Sequence, residues 1–197
     1  MTNLYLETGS KSSSEYVFTQ AYLKFLGLVD KVSIQTVGGK DNLYKVKNSF
    51  IVNTFEGGEN IIIFDADSSE NNGGFEKRRE ELLELLSQLD IKADLFLFPN
   101  NKSDGCFEDL LICLADDNRY RTFFDCFGDY EKCLGDDYRH PNLKAKVYAY
   151  ISSMKSLSNS QWNRLGKGQW MFDNKEYWDL NKEALFPLKD FLIDHVK

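Results

Sequence analysis

Glu7, Asp65 and Asp67 are the residues of this 197-residue chain whose types and positions point most directly to chemistry. Asp65 and Asp67 are two apart, and in extended chain such residues point the same way, about 6.6 Å from each other. One strand end would then aim both carboxylates at one ion or at a pair of ions. Carboxylates gathered without countercharge repel one another, so a cluster of this kind persists when a cation joins it. Oxygen-only donors suit Mg²⁺ or Mn²⁺. His140 and His195 are the only histidines, which argues against a histidine-based transition-metal site.

The elements around these acids predict how they are positioned. Leu4, Tyr5 and Leu6 form a short apolar strand that runs straight into Glu7. Ser12 to Glu15 has the spacing of a capping box, and Val17, Phe18, Ala21, Tyr22, Phe25 and Leu26 follow at helical intervals up to Gly27. Val32 to Val37 alternates as a strand does, Gly38 and Gly39 break it, and Leu43, Val46 and Phe50 suggest a second helix. Ile61 to Phe64 is a continuous apolar run ending at Asp65, the pattern of a strand buried on both faces. A charged helix with Phe75, Leu82, Leu83, Leu86 and Leu89 as its stripe leads to a fourth strand, Asp94 to Phe98, stopped by Pro99. Strands alternating with helices in this way predict a four-stranded, mostly parallel sheet flanked by helices. Functional sites in such sheets lie outside the carboxyl ends of the strands, where Glu7, Asp65 and Asp67 all fall.

Beyond Asn100 the pattern turns helical: Phe107 to Ala115, Tyr120 to Leu134, Asn142 to Met154 and Pro187 to Val196. Ser156 to Lys182 reads as irregular, with Trp162, Trp170 and Trp178 at intervals of eight, as anchors packing the tail onto the core. The expectation is one domain over residues 1–197, an α/β core to about 115 and a mainly helical C-terminal extension from about 116.

Composition narrows the function. Lys plus Arg is 24 against 31 Asp plus Glu, a net charge of −7, which disfavours non-specific binding of nucleic acid. Metal-holding carboxylates would themselves add to that negative charge. Cys106, Cys113, Cys126 and Cys133 lack a Cys-x-x-Cys spacing, and the expectation is four reduced, mostly buried thiols without zinc. With no apolar run long enough to span a bilayer and no leader-like start, no membrane partner is expected and the expected compartment is the cytoplasm.

A strand ending in Glu, a glycine turn after the second strand and Asp-x-Asp after the third together resemble the Toprim domain of topoisomerases, bacterial primases and OLD-type nucleases. The segment from Leu97 to Leu111, LFPNNKSDGCFEDLL, resembles more narrowly a set of small bacterial Toprim-related proteins. The resemblance implies a Toprim-like (Rossmann-like) fold and Mg²⁺-dependent phosphodiester cleavage or nucleotidyl transfer, with nucleic acid or nucleotides as partners. Carried over, Glu7 would be the general acid or base and Asp65 and Asp67 would hold the metal. Glu108 and Asp109 stand where related nucleases place further acidic ligands, and Lys146 matches a basic residue that faces phosphate. Glu108 and Asp109 equally suit a helix's first turn. The family's Glu-Gly turn is here Glu7-Thr8-Gly9 followed by a longer serine-rich loop.

Two other readings stand beside this one. A catalytically silent module could keep the fold and have lost the chemistry. A phosphatase of the haloacid-dehalogenase type would take Phe64 to Asp67 as its nucleophile strand and Leu111 to Asp117 as its second acidic motif. That reading needs Leu110 to Leu114 to be a strand, whereas Phe107, Leu110, Leu111 and Leu114 recur at helical spacing.

Overall fold

Alternation of apolar side chains across short strands gives this chain two buried faces to cover, and its helices divide between them. The computed structural model describes residues 1–115 and 117–197. Four strands, β1 (Thr2–Leu6), β2 (Val32–Thr36), β3 (Asn60–Asp65) and β4 (Asp94–Phe98), form one sheet in the order β2-β1-β3-β4. Every pairing is parallel, so the expected mostly parallel sheet is wholly parallel. The Rossmann-like α/β architecture follows from it.

Leu4, Leu6, Ile61, Ile63, Phe96 and Phe98 point to one face. Against them pack helices α1 (Ser14–Phe25) and α4 (Phe107–Leu114), with most of the later chain. Tyr5, Ile62, Phe64 and Leu97 point the other way, toward α2 (Lys47–Phe55) and α3 (Phe75–Leu89). The aromatic ring of Tyr5 stacks on Phe50 at 3.7 Å between centroids. Ile61 to Phe64 are all buried, as their β-branched, uninterrupted run predicts for an internal strand.

After α4 come α5 (Asp117–Cys133), α6 (Leu143–Ser152), α7 (Asn159–Leu165) and α8 (Phe186–His195). Helix α7 lies inside the segment expected to be irregular. Its signal was a capping box: Ser158 caps the helix and Gln161 returns a bond to the Ser158 backbone N–H at 2.9 Å. Trp170 and Trp178 are buried anchors, and the Trp178 Nε1–H donates to the Trp170 carbonyl at 2.7 Å. Trp162 differs: nearly half its surface is exposed.

Two further expectations are corrected. The first helix takes Ser13 as its N-cap, one residue later than the capping-box spacing implied. Of the four cysteines, expected to be mostly buried, Cys113, Cys126 and Cys133 are exposed and Cys106 is half-buried. Cys113 lies off the buried stripe of α4 (Phe107, Leu110, Leu111 and Leu114), and Cys126 and Cys133 sit on α5, whose Phe123, Phe124 and Phe127 are only half-buried. Among the described residues no helix is long and apolar enough to cross a membrane.

Candidate active site

Glu7 continues β1 past its last paired residue, and the loop after β2 folds onto it. The N–H groups of Gly38 and Gly39 donate to the Glu7 carbonyl at 2.9 and 2.7 Å. Both glycines sit in the left-handed region, with φ of 80° and 101°, a conformation that side chains resist. The Glu7 side chain is thereby turned toward β3, where its Oε2 accepts the Asp65 backbone N–H at 3.0 Å.

Asp65 closes β3 and faces the start of α4. Its Oδ1 accepts the Phe107 backbone N–H at 2.8 Å, one of the donors that a helix N-terminus leaves open. Burial nonetheless pushes its carboxyl well above the usual carboxylate range, and the charges of Glu15, Glu7 and Glu108 push the same way. Glu15, in the first turn of α1, is raised to about 7 by burial and then by Glu7 and Glu108, with Lys144 opposing. Glu7 is also raised, chiefly by burial; the Asp65 N–H and the charges of Arg78 and Lys40 draw it back.

Glu7, Glu15, Asp65 and Glu108 thus lie near enough, around the carboxyl ends of β1 and β3, for their charges to act on one another. Glu15 was not among the residues the sequence singled out. Its place in an expected capping box hid it. With Ser13 as the cap, the Ser13 Oγ accepts the Tyr16 N–H at 3.2 Å and the Glu15 carboxylate is released toward the site.

Asp67 takes another path. Its φ is 59°, left-handed, so the chain leaves extended geometry after Asp65 and the two side chains do not share a direction. Its carbonyl accepts the Gly105 N–H at 2.9 Å, and its carboxylate is ion-paired with Arg78. Arg78 is nine-tenths buried, reaches Glu81 at 3.4 Å with its other arm, and its Nε has no hydrogen-bond partner among the described residues.

The remaining expected residues have structural partners. The Asp109 Oδ2 accepts the Cys106 N–H at 2.8 Å and closes a capping box at the start of α4. Lys146 pairs with Glu131 at 2.9 Å and lies over the Phe127 ring, and the lysines whose charge reaches the cluster are Lys144, on Glu15, and Lys40, on Glu7. Among the described residues no three His, Cys, Asp or Glu side chains are grouped to hold a metal ion. The cluster suits a hard divalent cation in donor type and in unneutralised charge, and Glu7 and Asp65 each commit one carboxylate oxygen to a backbone N–H. The arrangement of the side chains is not that of a closed coordination shell.

Comparison with known proteins gives no match: no family model, no curated protein and no solved structure matches this chain.

Proposed function

We propose that the protein is a Mg²⁺- or Mn²⁺-dependent phosphodiester-cleaving or nucleotidyl-transfer enzyme of the Toprim type, working at Glu7, Glu15, Asp65 and Glu108. The observation that carries this reading is the raised pKa of Asp65, Glu15 and Glu7 together, at the sheet edge where parallel α/β folds place their chemistry. Like charges are gathered there beyond what the nearby cations offset. A divalent cation would relieve that repulsion, polarise a phosphate and stabilise the leaving oxygen.

The chain's own groups have distinct parts. Glu7 is oriented by the Asp65 N–H and holds its proton more tightly than an ordinary glutamate, which suits it to donate or accept a proton nearer neutral pH. Asp65 is held by the first N–H of α4 and keeps its second oxygen for a ligand. Arg78 neutralises Asp67 and is the nearest buried cation, with Lys40 beyond it at 3.5 Å from Glu81.

A second reading, a silent module with the same fold, draws on the Arg78–Asp67 pair, which supplies internally the charge a metal would bring. The phosphatase reading lacks its required strand: Phe107–Leu114 is helical, and Asp65 ends the third strand, not the first. Asp116, part of that reading's second motif, lies outside the described residues.

Thermal melts in EDTA and in millimolar Mg²⁺ or Mn²⁺ separate the two standing readings. The enzyme reading expects a cation-dependent rise in Tm, lost in Asp65→Asn, and metal-dependent cleavage of DNA, RNA or nucleotides lost in Glu7→Gln. A rise in Tm with no turnover on any of these substrates selects the silent module. No rise at all removes the metal.

A further inference from the structure

We propose that the cleft between α1 and residues 169–182 binds a ligand of nucleotide class: a planar base, a hydroxylated sugar and a phosphate. Two adjoining hollows of about 660 and 580 Å³ lie along α1 and share a wall of Ala21, Lys24, Phe172 and Asp173. Each is of the size that encloses a small organic ligand.

Charge is the first argument. The chain carries −7 overall, yet the lining of the two hollows brings five cations, Lys11, Lys24, Arg164, Lys175 and Lys182, against two acids, Asp173 and Asp179. The sign of the protein is reversed along this one face. Lys182 is tethered to the Ala115 carbonyl at 3.0 Å. Lys24 and Lys175 are exposed, so their ammonium groups reach a ligand at no cost in broken core packing.

The other lining groups narrow the ligand. Phe25, 40% exposed, gives the first hollow an aromatic face against which a base can lie, and the buried Phe172 and Trp178 close its floor. Asp173, Asp179 and Asn181 supply oxygen acceptors for sugar hydroxyls or an exocyclic amine, and Gln169 in the second hollow supplies an amide. A fatty acyl chain would leave those acceptors without donors, at a cost in affinity. Inorganic phosphate would leave the Phe25 ring unused. A nucleotide uses all three kinds of group, whether it is free or the end of a nucleic-acid strand.

This inference does not depend on the carboxylate cluster, and its test is run without divalent metal so that the two fail separately. Fluorescence titration with N-methylanthraniloyl-ATP in EDTA at low salt, with unlabelled ATP as competitor, probes the free nucleotide. Anisotropy of a fluorescein-labelled ten-nucleotide oligo-dT probes the strand end. The expected result is saturable binding of at least one probe, weakened tenfold or more both by Lys24→Glu with Lys175→Glu and by Ala21→Trp, which fills the shared wall. The double lysine variant should melt as the wild type does, because both lysines are exposed, and it carries the test alone if Ala21→Trp, at a half-buried position packed on the core, loses its cooperative melt. Competition by ATP without binding of the oligonucleotide assigns the free ligand; the reverse assigns the strand end. Failure of both probes to saturate, or equal binding by wild type and both variants, overturns the inference.

Discussion

Arg78 holds the carboxylate of Asp67, so the second acid of the Asp-x-Asp motif is already neutralised inside the protein. An arginine in that place competes with any divalent cation for the same oxygens. Arg78→Gln should therefore enlarge the Mn²⁺-induced rise in Tm by freeing Asp67. In EDTA the same variant should lose stability, by roughly 1–3 kcal/mol, because Asp67 and Glu81 lose a charged donor. Melts with and without Mn²⁺ read both effects, and a smaller Mn²⁺ response in Arg78→Gln would make the arginine part of the site instead of its competitor.

Glu15 sets a pH dependence with a definite sign. Its carboxyl is raised in the folded state from 4.5 to about 7, so between those values the folded protein binds the proton and the unfolded chain does not. Stability should fall as pH rises through that window, at up to about 1.4 kcal/mol per unit for this one group. Asp65 and Glu7, also raised, add to the fall. Glu15→Gln should flatten the curve and be more stable than wild type at pH 8 than at pH 5. Urea melts across pH 5–8 in EDTA measure this, and a wild type that gained stability steadily over that range would contradict the charge cluster.

Gly73 leaves room for the Asp67 turn. A Cβ placed there would stand 2.5 Å from the Asp67 Cβ and 2.9 Å from the Ala66 carbonyl oxygen. The Asp67 Cβ is bonded directly to the backbone and the Ala66 oxygen belongs to it, so neither can swing away, and Gly73→Ala should cost roughly 1–3 kcal/mol as overpacking does. Gly135, with nothing within 4 Å of its would-be Cβ, is the control: Gly135→Ala should be close to neutral. Equal melting of the two variants would mean that the turn is not fixed as described.

The sheet was legible because its signals are local. An apolar, β-branched run from Ile61 to Phe64 ending in an acid marks an internal strand, and the glycines after β2 mark a turn. The direction of Asp67 was not legible from two-residue spacing. That spacing holds only while the chain stays extended, and the left-handed Asp67 ends the extension. Glu15 was missed through a one-residue ambiguity among three serines, any of which can cap a helix. The pairing of Lys146 with Glu131, and the reach of Lys144 to Glu15, depend on how α5 and α6 pack, which short-range pattern does not encode.

The evenly spaced tryptophans separate by burial, and that gives a last test of the C-terminal extension. Trp178 is 2% exposed, touches Tyr150 and Phe172, and donates its indole N–H to Trp170, whereas Trp162 is 46% exposed. Removing a buried indole strips apolar contacts and leaves a cavity beside the rings of the core, so Trp178→Ala should cost about 3–5 kcal/mol. It also orphans the buried Trp170 carbonyl, which adds to the loss. Trp162→Ala removes a side chain already half in water and should stay within about 0.5 kcal/mol of wild type. Chemical denaturation of the two variants reads the difference directly. A Trp178→Ala protein as stable as Trp162→Ala would show that residues 166–182 are not packed on the core, and the cleft they form with α1 would go with them.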